Sequence, residues 1–486
     1  MSCESNNILD CYPEYEAKIG IEVHVQLKTK SKIFCSCPNI FGDIPNKNVC
    51  PVCAGHPGTL PVINKKAMDF AIMLGIATES NISKFSEFAR KHYMYPDLPK
   101  NFQITQDDKP ICQKGNVPIE LEDYSEKKIR LTRIHIEEDA GKNIHTDEGT
   151  SLVDLNRAGT PLLEIVSEPD ISNSVEAKSY LSRLKTFVEY LNISDANMEE
   201  GSFRGDVNIS VKKKSDEKLG TKVELKNINS FKFITQAINY EIERQIKMVE
   251  EGEEVKQETR LWDEKSHQTI FMRSKEEAFD YRYFTEPDLP VIVVNDEYIS
   301  RIKKSLPELP HKKLIRFMHD YGLTRDESTI LTGDIELAKF FEKTVSICKK
   351  PKQACNWILR NFLGYLKEHR LEISECKITP ETLSELILEI EQGIINTKTA
   401  QEVFEEMATN GKYPSIIVQE KGLKQISSVE ELEPIIKKII VDNPKQVEQY
   451  KSGNERLFAF FVGQTMKATQ GKANPQIIND ILRKYL

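Results

Sequence analysis

Near residue 300 the hydrophobic period of this sequence changes from about 2 residues to about 3.6, and that change limits the fold more than any other feature. Before it, KIGIEVHVQLK (18–28), DVNISVKK (206–213) and LPVIVV (289–294) read as strands. Two segments there have helical spacing instead. They are SVEAKSYLSRLKTFVEYL (174–191) and ITQAINYEIERQIKMVEEGEE (234–254), the second closed by Gly252. After SLPELPHKK (305–313) nearly everything reads as helix. ITPETLSELILEIEQG (378–393) carries a full set of signals: Thr379 as N-cap, Pro380 in the first turn, Leu383, Leu386, Ile387 and Ile390 as the stripe, and Gly393 as the stop. A third unit starts near GKYPS (411–415). The expected class is α+β, with a mixed-sheet domain over 1–300, an all-α domain over 301–408 and a small helical tail over 409–486.

A chain of 486 residues is too long for one ordinary core and suggests roughly two to four domains. Apolar runs such as AIMLGIA (71–77) fall short of the ~20 residues that span a bilayer, so no membrane contact is expected. The first 20 residues lack a basic start and an apolar core, so they do not read as a secretory signal, and they are acidic and free of Arg, which disfavours a transit peptide. The expected location is the cytoplasm. Net charge is −8, yet residues 411–486 hold 12 Lys and Arg against 8 Asp and Glu. A tail of +4 on a body of −12 suggests a separate contact surface there.

Six of the ten cysteines stand singly, at 3, 11, 112, 348, 355 and 376, and reduced thiols are the expectation. Cys35, Cys37, Cys50 and Cys53 form a zinc-ribbon-like pattern over 35–53. Four thiolates make a closed tetrahedral shell with no open position, which is a structural zinc site rather than a catalytic one. Four free thiols are the competing reading.

Three acidic segments offer hard ligands that suit Mg²⁺. RIHIEEDAGK (133–142) holds Glu137, Glu138 and Asp139; VDLNRAGTPLLEIVSEPD (153–170) holds Asn156, Arg157 and Glu164; MEEGSFRGDVNISV (198–211) holds Arg204 and Asp206. Taken one at a time, each segment reads first as a solvated face or a helix N-terminus, and only second as a metal site. GIEVHVQL (20–27) sets Glu22, His24 and Gln26 on one face of a strand. FARKHYMYPDLPKNFQITQ (88–106) interleaves Arg90, Lys91, His92 and Lys100 with aromatics, which suits either a nucleotide or packing on the core. The P-loop, Rossmann and G-x-S-x-G motifs are absent, so bound ATP would be held by another scheme. The tail segment TMKATQGKANPQ presents Lys467 and Lys472 beside Gly471. It reads as a grip on an RNA backbone or as a helix–turn–helix with solvated lysines.

Taken in order, IGIEVHVQL, FARKHYMYPDLPKNFQITQ, RIHIEEDAGK, SLVDLNRAGTPLLEIVSEPDI, MEEGSFRGDVNIS, KVELKNINSF, AFDYRYFTEPDLP and VGQTMKATQGKANPQ resemble the GatB family, the B subunits of the tRNA-dependent amidotransferases. The resemblance spans nearly the whole chain. It implies a cradle-shaped first domain that uses ATP to phosphorylate the side-chain carboxylate of Glu-tRNA(Gln) or Asp-tRNA(Asn). Ammonia from an amidase, the family's A subunit, then displaces the phosphate, and a small C subunit joins the two in a heterotrimer. A non-discriminating aminoacyl-tRNA synthetase is a further implied partner. By match to the family's metal site, Glu22, His24, Glu138 and Glu164 would hold Mg²⁺, with Glu137 the neighbour that could be confused with Glu138. Arg157 and Arg204 would take phosphate or the substrate's carboxylate, and Glu137, Asn156 and Asp206 would help bind the nucleotide. A non-catalytic RNA-binding scaffold and a zinc-ribbon regulator are the alternatives.

Overall fold

A computed structural model describes residues 7–146, 149–274, 280–426, 428–469 and 471–486. Cys3 and the first two residues of AFDYRYFTEPDLP lie outside them. The chain forms two compact units that divide between Leu309 and Pro310, inside SLPELPHKK.

The first unit is built on a ten-stranded mixed sheet. Its centre is the strand Tyr15–Gln26, flanked by Pro161–Ser167 and Phe203–Lys213, both antiparallel to it. Glu126–Glu138 lies beyond Pro161–Ser167. Val223–Lys226, Glu258–Asp263 and Gln268–Ser274 complete the other side, with one parallel pairing between the first two of these. The central strand alternates strictly. Ala17, Ile19, Ile21, Val23 and Val25 are at most 1% exposed, while Glu22, His24 and Gln26 face the other way, half-buried. The apolar face is covered by helices Ser174–Tyr190 and Phe231–Glu250, whose Tyr180, Leu184, Phe187, Ile238 and Ile242 join the same core. Each fully buried aliphatic side chain there contributes about 1.5–3 kcal/mol. That burial fixes the parity of the strand, because a slip of one residue would drive Glu22 and His24 into the core. LPVIVV yields only a two-residue strand, Ile292–Val293.

The second unit is helical and holds two cores. One runs from Phe317 to Val418 and the other from Leu432 to Leu482. Helix Pro380–Glu391 forms as its sequence signals direct, with Thr379 as cap and Gly393 in the left-handed conformation. Helix Pro414–Lys421 gives Ile417 and Val418 to the first of these cores, so the cores divide later than the expected boundary at 408/409.

The expectation of reduced thiols throughout needs one correction. Cys11, exposed at the end of the 3-10 helix Ile8–Cys11, is disulfide-bonded. Isolated cysteines in a sequence carry no signal of which will come within the few ångströms that a disulfide requires. Cysteines 35, 37, 50, 53, 112, 348, 355 and 376 are free.

Candidate functional site

The polar face of the central strand is completed by its neighbours in register. His24 lies opposite Glu164 on one side and Arg204 on the other, and Glu164 lies opposite His135. In antiparallel pairs such residues share a face with Cβ atoms about 4.5–5.5 Å apart. Glu137, two positions beyond His135, faces the same way. Side chains from three strands thus converge, His24 lying more than 100 residues before the other two in the sequence. His24 Nε2 is 3.3 Å from Glu164 Oε2 and 3.7 Å from Glu137 Oε1. His135 Nε2 lies 3.6 Å from Glu164 and 3.7 Å from Glu137. Thr105 Oγ1 donates to Glu137 Oε2 at 3.2 Å, and Asn208 Nδ2 to Glu22 Oε1 at 3.2 Å.

Glu22, His24, Thr105, His135, Glu137 and Glu164 line a cavity of about 350 Å³ together with Asp206 and Glu224 and the cations Lys91, Arg133, Lys226 and Arg273. The crowding of acids is reflected in their titration. Burial pushes the Glu22 carboxyl above its ordinary value, and Glu164, Glu224 and Asp206 add to that. Burial lowers the His24 imidazole, but the Glu164 hydrogen bond and the Glu164 and Glu137 charges outweigh it, so the net shift is upward. For Glu164 burial works upward, yet His135, His24 and Lys91 hold it well below the carboxylate range. One imidazole nitrogen and two carboxylate oxygens, from His24, Glu137 and Glu164, lie within 4.8 Å of one another. That donor set fits a small hard divalent cation such as Mg²⁺, which would also relieve the repulsion felt by Glu22.

The grouping differs from the expected one at two acids: Glu22 lines the cavity but is not among the atoms that meet within 4.8 Å, and Glu138 is replaced by its neighbour. Glu138 lies on the opposite face. Its carboxylate accepts from Lys100 Nζ and, at 2.9 Å, from the Ile104 backbone N–H. Glu137 stands where Glu138 was expected, because residues one apart in a strand point to opposite sides.

The other expected residues divide. Asp206 lies in the cavity, 2.6 Å from Lys226 Nζ. Asn156 does not. Its amide donates to the Ile44 carbonyl at 2.7 Å and accepts from Asn48 N–H at 2.8 Å, bracing the loop between the cysteine pairs. Arg157 is taken up by the carbonyls of Ala140 and Gly141 at 2.9 and 2.6 Å. Arg204 donates to Asp139 at 3.2 Å, beside Gln26, which donates to the same oxygen at 2.9 Å. A buried Arg204 Nε has no partner among the described residues. In the basic–aromatic segment, Arg90 makes a two-point ion pair with Glu286 and lies 4.3 Å from the Phe102 ring centre, whereas Lys91 reaches the cavity. His135, Arg133, Lys226 and Arg273 were not singled out from the sequence. Arg133 and His135 share Glu137's parity in RIHIEE, which was the available signal.

Cys35, Cys37, Cys50 and Cys53 bring four sulfurs within 4.8 Å of one another, with Cys50 and Cys53 Sγ 3.9 Å apart. A tetrahedral zinc with bonds of about 2.3 Å needs an edge of about 3.8 Å, so the cluster fits that ion. In the tail, Lys467 is exposed at the end of helix Arg456–Ala468, while Lys472 Nζ donates to the Gly422 carbonyl at 2.8 Å.

Comparison with known proteins adds an independent line. Residues 17–300 match the GatB/GatE catalytic domain, and residues 339–486 match the GatB domain. A protein of Persephonella marina is 52% identical over 474 residues, which is 97% of this chain and 100% of its own length. One of Thermoanaerobacter pseudethanolicus is 53% identical over 473 residues, 97% of this chain and 99% of its own. One of Brachyspira hyodysenteriae is 51% identical over 480 residues, again 97% and 99%. All three are named as the B subunit of aspartyl/glutamyl-tRNA(Asn/Gln) amidotransferase.

Proposed function

This chain belongs to the GatB family, the B subunits of tRNA-dependent amidotransferases, and on that premise we propose that its first domain activates the side-chain carboxylate of a misacylated tRNA for amidation. The observation that carries the reading is the convergence of His24, Glu137 and Glu164 in a cavity ringed by cations. A carboxylate does not acylate ammonia without activation. In the proposed reaction an oxygen of the aminoacyl side chain of Glu-tRNA(Gln) or Asp-tRNA(Asn) attacks the γ-phosphorus of ATP and ADP leaves. Ammonia then attacks the acyl carbon, and the C–O bond to phosphate breaks to leave the amide. Such transfer depends on positioning and charge neutralisation, with little covalent work for the protein.

The residues divide that labour. His24, Glu137 and Glu164, with Glu22 beside them, would hold Mg²⁺, which when bound neutralises phosphate charge. Lys91, Arg133, Lys226 and Arg273 line the same cavity and supply fixed positive charge for phosphate oxygens. His135 holds the carboxylates of Glu137 and Glu164 in place. Asp206 orients Lys226. Arg204, fixed through Asp139, keeps guanidinium N–H groups at the edge of this face for an anion. The four cysteines would hold a structural zinc. We further propose that residues 1–300 carry the chemistry and that 409–486 carry the tRNA grip. The amidase and the small third protein of the heterotrimer would complete a cytoplasmic enzyme, with a non-discriminating synthetase supplying its substrate.

The test is the heterotrimer reconstituted with the amidase and the small third protein, assayed on both misacylated tRNAs. The Glu164→Gln substitution should cut ADP release and amide formation by at least about 100-fold. Full transamidation by that variant overturns the site. Binding of tRNA that survives chelation, with no ADP release from the wild type, favours the scaffold reading instead.

A further inference from the structure

Lys32 is completely buried, at 0% exposure, and lies outside the cavity chemistry. A buried ammonium is tolerated when it is hydrogen-bonded and paired with negative charge. Among the described residues the polar contacts of its Nζ are Cys53 Sγ at 3.6 Å and the Leu155 carbonyl at 3.1 Å. Neither is a carboxylate, so the compensating charge falls on sulfur. We propose that Lys32 is the charge partner of the four-cysteine site and fastens that site to the turn leading into the Pro161–Ser167 strand.

Four thiolates around a divalent ion carry a net charge of −2, and one ammonium halves it. The same ammonium reaches the Leu155 carbonyl across the turn. That turn lies in van der Waals contact with the pair. Ile33 N–H donates to the Gly159 carbonyl at 2.9 Å, and a Cβ at Gly159, whose φ is +81°, would stand 3.5 Å from Lys32 Cδ and 3.6 Å from Cys53 Cβ. Five residues beyond Gly159 lies Glu164. The thiolate site is thereby tied through Lys32 to the strand that supplies a cavity carboxylate. Partners of this kind beyond the ligands typically change metal affinity 10–100-fold when removed.

This inference rests on reading the cysteine cluster as a zinc site, and the experiment separates the two. Zinc affinity is measured by chelator competition on the reduced full-length chain. Lys32→Met and Lys32→Gln should each bind zinc at least about tenfold more weakly than wild type. The charge argument is then checked in a chain with all four cysteines changed to serine. There Lys32→Met should leave the thermal midpoint unchanged or raise it, because it removes a buried charge that has lost its partner. A Lys32→Met chain that folds only in the serine background also supports the pairing. Wild-type zinc affinity in both Lys32 variants overturns it. So does an equal loss of stability, or failure to fold, with and without the cysteines. If the serine parent does not fold, the chelator competition decides alone. Absence of zinc from the wild type sinks the cluster reading itself.

Discussion

The Glu137→Gln substitution removes one of three ligand atoms that meet in the cavity, and the Glu138→Gln substitution removes a charge on the other side of the same strand. The first should lower ATP-dependent amide formation by at least about 100-fold with the thermal midpoint nearly unchanged. The second should cost about 1–2 kcal/mol of stability, since Lys100 loses its charged partner, and should slow the reaction far less. Thermal melts and ADP release measured side by side check both, and the opposite pattern sinks the assignment. The motif RIHIEE reveals that Arg133, His135 and Glu137 share one parity. Which parity meets Glu22 and His24 depends on the register of Glu126–Glu138 against Pro161–Ser167, and that register is a tertiary fact.

Helix Pro380–Glu391 was fully legible because its cap, stripe and stop are local features. Its Glu389 was not. This carboxylate is 7% exposed, and its Oε2 has no partner among the described residues. Burial, aided by Glu385 one turn earlier, raises its pKa above the usual carboxylate value. The folded form therefore disfavours ionisation. The penalty is absent below the unfolded value of about 4.3, grows as pH rises through the folded value, and is fully present at neutrality. The Glu389→Met substitution should accordingly stabilise the second unit by about 1 kcal/mol at pH 7 and lose that gain below about pH 4. Calorimetry at the two pH values reads this directly. Because the two units have separate cores, only one thermal transition should move. A gain that persists in acid would show that apolar packing, rather than charge, is responsible.

At the scale of the molecule, the basic tail can be tested through salt. Lys467 is exposed, whereas Lys472 is spent in part on the Gly422 carbonyl. If the tail grips a tRNA backbone, Lys467→Ala should weaken binding at low salt and reduce the slope of log affinity against log salt by about 1. Lys472→Ala should change that slope less, and equal slopes for wild type and Lys467→Ala would count against a phosphate contact. By itself the sequence determined a change of character near residue 300, the class of each part, the parity of the central strand and the spacing of the four clustered cysteines. Each of these rests on period or short-range spacing. Only the tertiary structure decided that Glu137 rather than Glu138 joins His24 and Glu164, that Asn156 braces a loop, and that Lys32 sits beside Cys53. Those outcomes depend on strand register and loop closure between residues far apart in the chain, and no local pattern encodes which distant side chains will share a face.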